Sequence, residues 1–310
     1  MSRPPPLVSI AIPAYNERFF PEALASALAQ TYAAVEIVVG DDSAGDAIRA
    51  AVERAGDGRV RYVRNPQRLG FAGNFTRCFA AARGEYVKFL NDDDRLHPQC
   101  VEGLAGALRA NSAVTLAFSR RVVIDAHGAA QPDIQATRPL APIPAFFPGR
   151  ELGNLVLASS VNVVGEPTTA MFRKAELPVE AGSIFRWGGR DYHCLADVSL
   201  WLRLLARGLA FYSPAPWSEF RLHGGQEQER DEVMLACILE RHWIAHQARG
   251  AGYLADRGQW VAALQAARAR AAATDFDAAP PEAVAQLRDM MAAIDAELAR
   301  APGAGQAGPL

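Results

Sequence analysis

Short apolar segments alternate with helix-like segments through the first 118 residues, and this alternation limits the possible fold more than any other feature. The predicted strands are 7–12, 35–39, 60–63, 86–90 and 113–118. Strands that alternate with helices form βαβ units around a largely parallel sheet. A further strand at 168–172 and a helix at 196–206 continue the pattern, and a Pro-rich stretch at 125–150 is predicted to be an irregular loop over the site.

Two of the predicted strands end in acidic residues, Asp41-Asp42 after one and Asn91-Asp92-Asp93-Asp94 after the other. Open α/β sheets bind their ligands at the carboxyl ends of the strands, so both clusters are expected to face one crevice. Consecutive carboxylates repel one another, and a Mg²⁺ or Mn²⁺ ion is a natural counter-charge. The alternative is a solvated acidic turn before the next helix. The shared sheet edge favours a metal at 91–94, whereas both interpretations stay open for Asp41-Asp42.

A carboxylate lies at the start of the predicted helix at 196–206. The residues that share one face of this helix are Asp197, Leu200, Trp201, Leu204 and Leu205. Burial of Asp197 would raise its pKa and the helix N-terminus would lower it, which suits a general base. Simple helix capping is the alternative, and Asp191 is a nearby competitor for the catalytic role.

His223 precedes two glycines in the segment 221–226. An imidazole can ligate a metal or bond a phosphate, although a loop histidine is more often merely exposed. The glycines would allow the backbone to approach a ligand closely. His223 is therefore a candidate ligand.

Composition excludes several classes of protein. The net charge of -2 and the pI near 6.3 give no basic surface for nucleic acid. The four cysteines form no CxxC pair, which predicts reduced thiols rather than a zinc site or a disulfide framework.

No secretion signal or membrane-spanning run is evident, so the chain is expected to be soluble and cytoplasmic. Peripheral contact with the inner face of the membrane and a homodimer are both compatible with the sequence.

The predicted organisation is one α/β domain over residues 1–225 followed by helices. Its nucleotide-sugar half covers about 7–118 and its acceptor half about 119–225. An Ala-rich helical region covers 226–302, and a small-residue tail at 303–310 is expected to be disordered.

Taken together, these segments resemble glycosyltransferase family 2, whose members have the GT-A fold. The segment 8–17 resembles the family's first strand and nucleotide loop, and 30–43 resembles its second. Arg64-Asn65 and Leu69-Gly70 are similar to the segment before the third helix, and 82–94 is similar to the stretch leading into the DXD metal motif. The resemblance covers residues 7–226 and implies a mostly parallel nucleotide-binding sheet flanked by helices, with the C-terminal helices as an appendage.

The resemblance also implies a role for individual residues. Those implied to bind the nucleotide are Pro13, Tyr15, Glu17, Asp42 and Asp92. Asp93 and His223 would hold a divalent metal, Mn²⁺ or Mg²⁺, and Asp197 would be the catalytic base. The residues implied on the acceptor side are Glu166, Pro167, Thr168 and Trp201.

The implied activity is inverting transfer of a sugar from a nucleotide diphosphate sugar to an acceptor hydroxyl. The acceptor would be a glycan, a lipid-linked glycan or a protein, in bacterial surface polysaccharide or glycoconjugate synthesis. Asn91 replaces the first aspartate of DXD, and Ala196 stands where the family often has an acidic residue. A non-catalytic nucleotide-sugar or glycan binder is therefore an alternative, and a sugar nucleotidyltransferase is another. The first strand lacks a following GxGxxG, which disfavours a Rossmann dehydrogenase.

Overall fold

The computed structural model describes residues 4–224, 231–273 and 281–300. The strands are β1 (Val8–Ala14), β2 (Val35–Asp41), β3 (Val60–Arg64), β4 (Tyr86–Phe89), β5 (Arg95–Leu96), β6 (Val114–Ile124), β7 (Ala130–Gln131), β8 (Ala145–Pro148), β9 (Ala170–Arg173), β10 (Arg186–Trp187), β11 (Arg190–Asp191) and β12 (Leu209–Arg221). The helices are α1 (Phe20–Leu28), α2 (Ala47–Ala55), α3 (Gly70–Ala81), α4 (Cys100–Ala110), α5 (Gly149–Ser159), α6 (Ala196–Leu205), α7 (Asp231–Gly250), α8 (Arg257–Ala272) and α9 (Pro281–Ala299).

The main sheet has the order β3-β2-β1-β4-β9-β6-β12-β5. The first four strands of this order are parallel, as the βαβ pattern predicts. Every residue of β1 is buried, because helices cover both faces of the sheet at its centre. The carboxyl ends of β1, β2 and β4 therefore lie at one edge of the sheet.

β9 runs antiparallel to β4 and to β6, its two neighbours. The residues that precede β9 therefore lie at the carboxyl edge of β4. β12 pairs with β6 in parallel, and its register shifts between Ser213 and Ser218. The prolines at 214 and 216 occupy this shift, because proline has no N–H to donate to a neighbouring strand.

The Pro-rich stretch at 125–150 is more ordered than its composition predicts. It contains β7 and β8, and Gly149 at its end begins α5. Sequence patterns also gave no indication of β12, whose irregular burial hides the period of a strand. The expectation of an irregular loop was wrong for these segments, because pairing with β6 and β12 supplies order that local composition does not indicate.

The C-terminal helices share a core with the α/β domain. Apolar side chains of α7 and α8, including Ile238, Ile244 and Trp260, pack with Leu157 of α5 and Leu202 of α6. This packing makes the C-terminal helices part of one body with α5 and α6. The predicted boundary at residue 225 and the predicted disordered tail at 303–310 both lie outside the described residues.

One cysteine pair corrects the sequence-based expectation of reduced thiols. Cys194, just before α6, forms a disulfide with Cys237 of α7, and their Cα atoms are 5.1 Å apart. The two residues are 43 positions apart, so only the packing of α7 against this loop brings them together. Cys78 and Cys100 are free and buried. Within the described residues, no helix combines the length and apolar character needed to cross a bilayer.

Candidate active site

A cavity of about 730 Å³ opens at the carboxyl ends of β1, β2 and β4. Ten of the residues predicted from the sequence line it, namely Pro13, Tyr15, Glu17, Asp42, Asp92, Asp93, Glu166, Pro167, Asp197 and His223. They come from six separate parts of the chain. The fold thus brings the predicted nucleotide, metal and catalytic residues into one space.

The loop after β1 forms an open wall of the cavity. Pro13 lies within β1, opposite Gly40 of β2, and Glu17 faces Gly45. Tyr15 is 51% exposed, and the guanidinium carbon of Arg68 lies 4.4 Å from the centre of its ring. An exposed aromatic face beside a cation is suited to stacking against a planar ligand.

Asp42 is 5% exposed, and both of its carboxylate oxygens are engaged. Oδ1 accepts hydrogen bonds from Asn65 Nδ2 and from the backbone N–H of Leu69, each at 2.8 Å. Oδ2 accepts from the N–H of Gly70, also at 2.8 Å. Asp42 therefore holds the segment that leads into α3, as well as lining the cavity.

Asp41 differs from its neighbour because it is fully buried beneath the cavity. Its Oδ2 accepts from the Tyr62 hydroxyl at 2.5 Å and from Arg64 Nη1 at 2.6 Å. Burial opposes the change, but these hydrogen bonds and those from Ser43 lower the pKa of Asp41. Asp41 is a structural anion, and Asp42 alone of the pair lines the cavity.

The carboxylates of the acidic run point in different directions. Asp92 Oδ2 accepts from the backbone N–H of Tyr15 at 2.5 Å and of Asn16 at 2.6 Å, which fixes the loop after β1. Asp93 Oδ2 lies 3.2 Å from His223 Nε2. Burial and the mutual repulsion of the two carboxylates raise the pKa of Asp92, and burial raises that of Asp93.

Asp94 lies beneath the cavity and is completely buried. Its Oδ1 accepts from the backbone N–H of Arg221 at 3.0 Å, and its Oδ2 accepts from Thr168 Oγ1 at 2.6 Å and Asn91 Nδ2 at 3.1 Å. Burial raises the pKa of Asp94 well above its ordinary value. This residue connects β4, β12 and the turn before β9, so the acidic run supplies two carboxylates to the cavity rather than three.

Asp93 and His223 present one carboxylate and one imidazole to the cavity. Across the described part of the chain, no group of three or more acidic, histidine or cysteine side chains converges as a complete metal cage. Mg²⁺ is commonly held by one or two carboxylates together with substrate phosphates and waters. One carboxylate and one imidazole therefore suit a divalent ion only when a bound molecule or water supplies further ligands.

Asp197 lies in the first turn of α6 and is half-buried at the cavity wall. Its Oδ2 accepts from Asn162 Nδ2 at 2.7 Å, and its Oδ1 accepts from the N–H of Val198 at 2.6 Å. Burial raises the pKa of Asp197 to about 7, although both hydrogen bonds oppose the shift. The competitor Asp191 is exposed, pairs with Arg186 at 3.1 Å and does not line the cavity.

The residues predicted on the acceptor side divide into two groups. Glu166 and Pro167 line the cavity, and Glu166 pairs with Arg121 at 2.9 Å. Thr168 is completely buried and bonds to Asp94, so it does not contact the cavity. Trp201 is 2% exposed, and its Nε1 donates to the carbonyl of Gly165 at 2.8 Å. The acceptor role predicted for Thr168 and Trp201 does not agree with these positions, because both side chains support the wall from behind.

Several cavity residues were not identified from the sequence. They include Arg18, Arg68, Phe71, Asn74, Phe75 and His193. Arg68 lies beside the recognised Leu69-Gly70 pair, and that proximity could have drawn attention to it. Asn162, the partner of Asp197, is 35 residues away in sequence and gave no local signal.

A model of the family described as "Glycosyl transferase family 2" matches residues 9–176, which is more than half of the chain. The chain belongs to glycosyltransferase family 2. An uncharacterised protein of Mycobacterium tuberculosis is 34% identical over 253 residues, covering 77% of this chain and 74% of the relative. This glycosyltransferase is also 37% identical over 89 residues to the Escherichia coli enzyme named UDP-Glc:alpha-D-GlcNAc-diphosphoundecaprenol beta-1,3-glucosyltransferase WfgD, a match to 28% of this chain and 35% of the enzyme.

The fold of this transferase matches that of S. aureus TarS. The structure of TarS 1-349 in complex with UDP-GlcNAc superposes with a TM-score of 0.53 and 14% sequence identity, covering 95% of this chain and 92% of TarS 1-349. At this identity the match shows the fold alone. Other relatives include a chondroitin synthase of Escherichia coli, 34% identical over 127 residues, covering 40% of this chain and 18% of that protein. The transferase therefore has relatives in polysaccharide and glycoconjugate synthesis.

Proposed function

We propose that this glycosyltransferase transfers a sugar from a nucleotide diphosphate sugar to an acceptor hydroxyl, with inversion at the anomeric carbon, in the synthesis of a bacterial surface glycan. The observation that carries the proposal is the arrangement of one cavity. Asp92 and Asp93 line it together with Asp197, a carboxylate whose pKa is raised to about 7. Such a site combines residues for a charged leaving group with a residue able to remove a proton.

In this proposal the donor nucleotide lies along the loops after β1 and β2. Tyr15 provides an exposed aromatic face, and Asp92 holds the loop that carries it. Asp42 lines the same cavity as Tyr15. TarS 1-349 forms a complex with UDP-GlcNAc, which supports a nucleotide-sugar donor for a chain of the same fold.

The proposed diphosphate site lies at Asp93 and His223, which would hold a Mn²⁺ or Mg²⁺ ion. When bound, such an ion neutralises charge on the leaving diphosphate. Asp93 supplies the carboxylate, and the Asp93 backbone carbonyl accepts a hydrogen bond from Arg221 Nε at 2.7 Å, which fixes its position. His223 packs against Phe19, with ring centres 4.8 Å apart, so its imidazole is held beside Asp93.

Asp197 is the proposed general base. Its carboxylate would take the proton of the acceptor hydroxyl as the oxygen attacks the anomeric carbon, and the nucleotide diphosphate would leave from the opposite face. One displacement of this kind inverts the configuration and needs no covalent intermediate. Asn162 and the N–H of Val198 hold the carboxylate in place, and Glu166 and Pro167 form the proposed acceptor wall.

The test measures release of nucleotide diphosphate and transfer of sugar, using a panel of nucleotide sugars with Mn²⁺, for wild type and for Asp197→Asn. The asparagine keeps the shape of the side chain but accepts no proton, so transfer should fall by ~10²–10⁴-fold while donor affinity is retained. The matched control is Asp191→Asn, which changes an exposed aspartate outside the cavity. Full activity in Asp197→Asn would contradict the assignment of the base. Donor binding without turnover by the wild type would favour a non-catalytic binder.

A further inference from the structure

The loop before α6 lies between the cavity and the C-terminal helix α7. His193 and Cys194 of this loop line the cavity, and Asp197 follows within the first turn of the helix. The position of the Asp197 carboxylate therefore depends on how the loop is held. The contacts that hold it come from a part of the chain that follows the matched family segment at 9–176.

Glu240 of α7 makes the principal polar contacts with this loop. Its Oε1 accepts from the backbone N–H of His193 at 2.8 Å, and its Oε2 accepts from the N–H of Leu195 at 2.7 Å. The side chain is 4% exposed. Both oxygens of one carboxylate thus bind amides two residues apart, which fixes the loop at two points.

These contacts bring to the start of α6 an acceptor that its N-cap side chain does not provide. The residue at the N-cap of α6 is Leu195, whose side chain has no acceptor. Helix N-termini leave backbone N–H groups without partners and carry partial positive charge, so a carboxylate there is favourable. Glu240 brings this carboxylate from α7, 45 residues further along the chain.

Glu240 depends on hydrogen bonds rather than on an opposite charge. In the described part of the chain it forms no ion pair, and burial raises the pKa of its carboxyl. An ionisable group buried without an opposite charge lowers stability unless hydrogen bonds offset the loss of hydration. The two amides supply those hydrogen bonds, and the disulfide from Cys237, one turn earlier on α7, holds the same loop covalently at Cys194.

We infer that Glu240 is a positioning residue of the transferase site: it holds the backbone of His193 and Leu195 and so sets the direction of the Asp197 carboxylate. The inference rests on the proposed function, in which Asp197 is the base. It makes α7 a contributor to catalysis, although no residue of α7 lines the cavity among the described residues. Asn162, in the connection between α5 and β9, also donates a hydrogen bond to the Asp197 carboxylate.

The experiment compares Glu240→Gln with wild type in the full chain. Glutamine has nearly the same shape, but its amide group can accept from only one of the two backbone N–H groups. A misplaced base should lower kcat by between about tenfold and 10²-fold. The affinity for the donor nucleotide should change less than twofold, because the loops after β1 and β2 bind it. Hydrogen exchange at His193 and Leu195 should become faster.

The control variant is Glu297→Gln, which removes a carboxylate from the same helical region, where it pairs with His246 at 3.4 Å. It should leave kcat and the exchange rates of the loop unchanged. Unchanged kcat and unchanged exchange in Glu240→Gln would overturn the inference, and so would an equal loss of donor affinity and kcat. If Glu240→Gln does not fold, hydrogen exchange at the His193 and Leu195 amides of the wild type tests the contact. Rapid exchange there would disprove the contact, and slow exchange would support it.

Failure of the proposed function gives a different result. If the wild type transfers no sugar from any donor of the panel, the assignment of Asp197 as base fails. The exchange rates of the loop in Glu240→Gln still test whether Glu240 holds it. Faster exchange there, with the Glu297→Gln rates unchanged, would support the positioning contact by itself.

Discussion

At the scale of single residues, Asp197 combines a partly buried carboxylate with an elevated pKa. Its pKa is raised from 3.8 to about 7, and the ionised form is the one that acts as a base. We expect kcat/KM to fall about tenfold for each pH unit below about 7 and to level off above it. A pH profile of the wild type, with the proposed donor and acceptor, checks this. A value of kcat/KM that stays constant between about pH 5 and about pH 8 would contradict this prediction.

The same shift has a consequence for stability. The folded state binds a proton on Asp197 more tightly than the unfolded state does, so ionisation destabilises the fold as the pH rises from about 4 to about 7. The destabilisation is absent below about pH 4 and complete above about pH 7. Asp197→Asn should therefore have a higher Tm than wild type at pH 8, and the difference should disappear at pH 4. Equal Tm values at pH 8 would show that the ionised Asp197 carboxylate does not destabilise the fold.

Asp42 is expected to serve both the ligand and the fold. Asp42→Ala leaves Asn65 Nδ2 and the N–H groups of Leu69 and Gly70 without their acceptor. This loss should lower the free energy of unfolding by about 1.5–3 kcal/mol. The same substitution should weaken nucleotide binding. Urea unfolding and nucleotide titration measure the two effects. Asp46→Ala, which removes an exposed partner of Arg49, is the control and should change stability by less than about 1 kcal/mol. Unchanged nucleotide affinity in folded Asp42→Ala would exclude contact between Asp42 and the nucleotide.

At the scale of elements, α5 depends on the absence of a side chain at Gly149. A Cβ there would collide with the backbone carbonyl oxygens of Leu205 and Gly208. Gly149→Ala should destabilise the fold by about 1–3 kcal/mol, because neither carbonyl can move without shifting α6 or β12. Thermal or urea unfolding tests this. Gly106→Ala is the matched control: it lies in α4, has open space around it, and should stabilise by about 0.5–1 kcal/mol.

Local sequence predicted the elements of the N-terminal half well. Continuous apolar runs bounded by turns gave β1, β2 and β4, and the observed ends of these strands differ from the predicted ends by at most two residues. β12 and α5 were missed for a common reason. Their order comes from pairing with β6 and from contact with Leu205 and Gly208, which are long-range terms that a local window does not contain.

The site was predictable to the same extent. The strand-end argument placed the runs 41–42 and 91–94 at one crevice, because a parallel sheet brings such ends together. The family resemblance then singled out Asp42, Asp92 and Asp93, and all three line the cavity. The strand-end argument could not separate Asp93 from Asp94, since the direction of each side chain depends on partners such as Thr168 that are distant in sequence. The role of Glu240 could not be predicted from local sequence, because the two backbone amides that it binds lie 47 and 45 residues earlier in the chain.

At the scale of the whole molecule, the C-terminal helices complete the core. Val198 and Leu202 of α6 are buried against α7 and α8, so a chain that ends at residue 224 would expose them. We expect this truncation to lose cooperative unfolding, whereas a chain that ends at residue 301 should fold and bind donor like wild type. Circular dichroism melts of both truncations, with nucleotide titration of the second, provide the measurement. A cooperative transition in the shorter chain would show that the α/β domain is autonomous.

The antiparallel direction of β9 has a consequence for how such a transferase can diversify. Because β9 begins at the edge where β4 ends, the turn that carries Glu166 and Pro167 enters the cavity between a helix and the start of a strand. Insertions or deletions between α5 and this turn would reshape the proposed acceptor wall without shifting the register of any strand in the sheet. If the proposed acceptor wall is correct, a change in the length of this one connection would alter acceptor choice while the loops proposed to hold the donor keep their sequence.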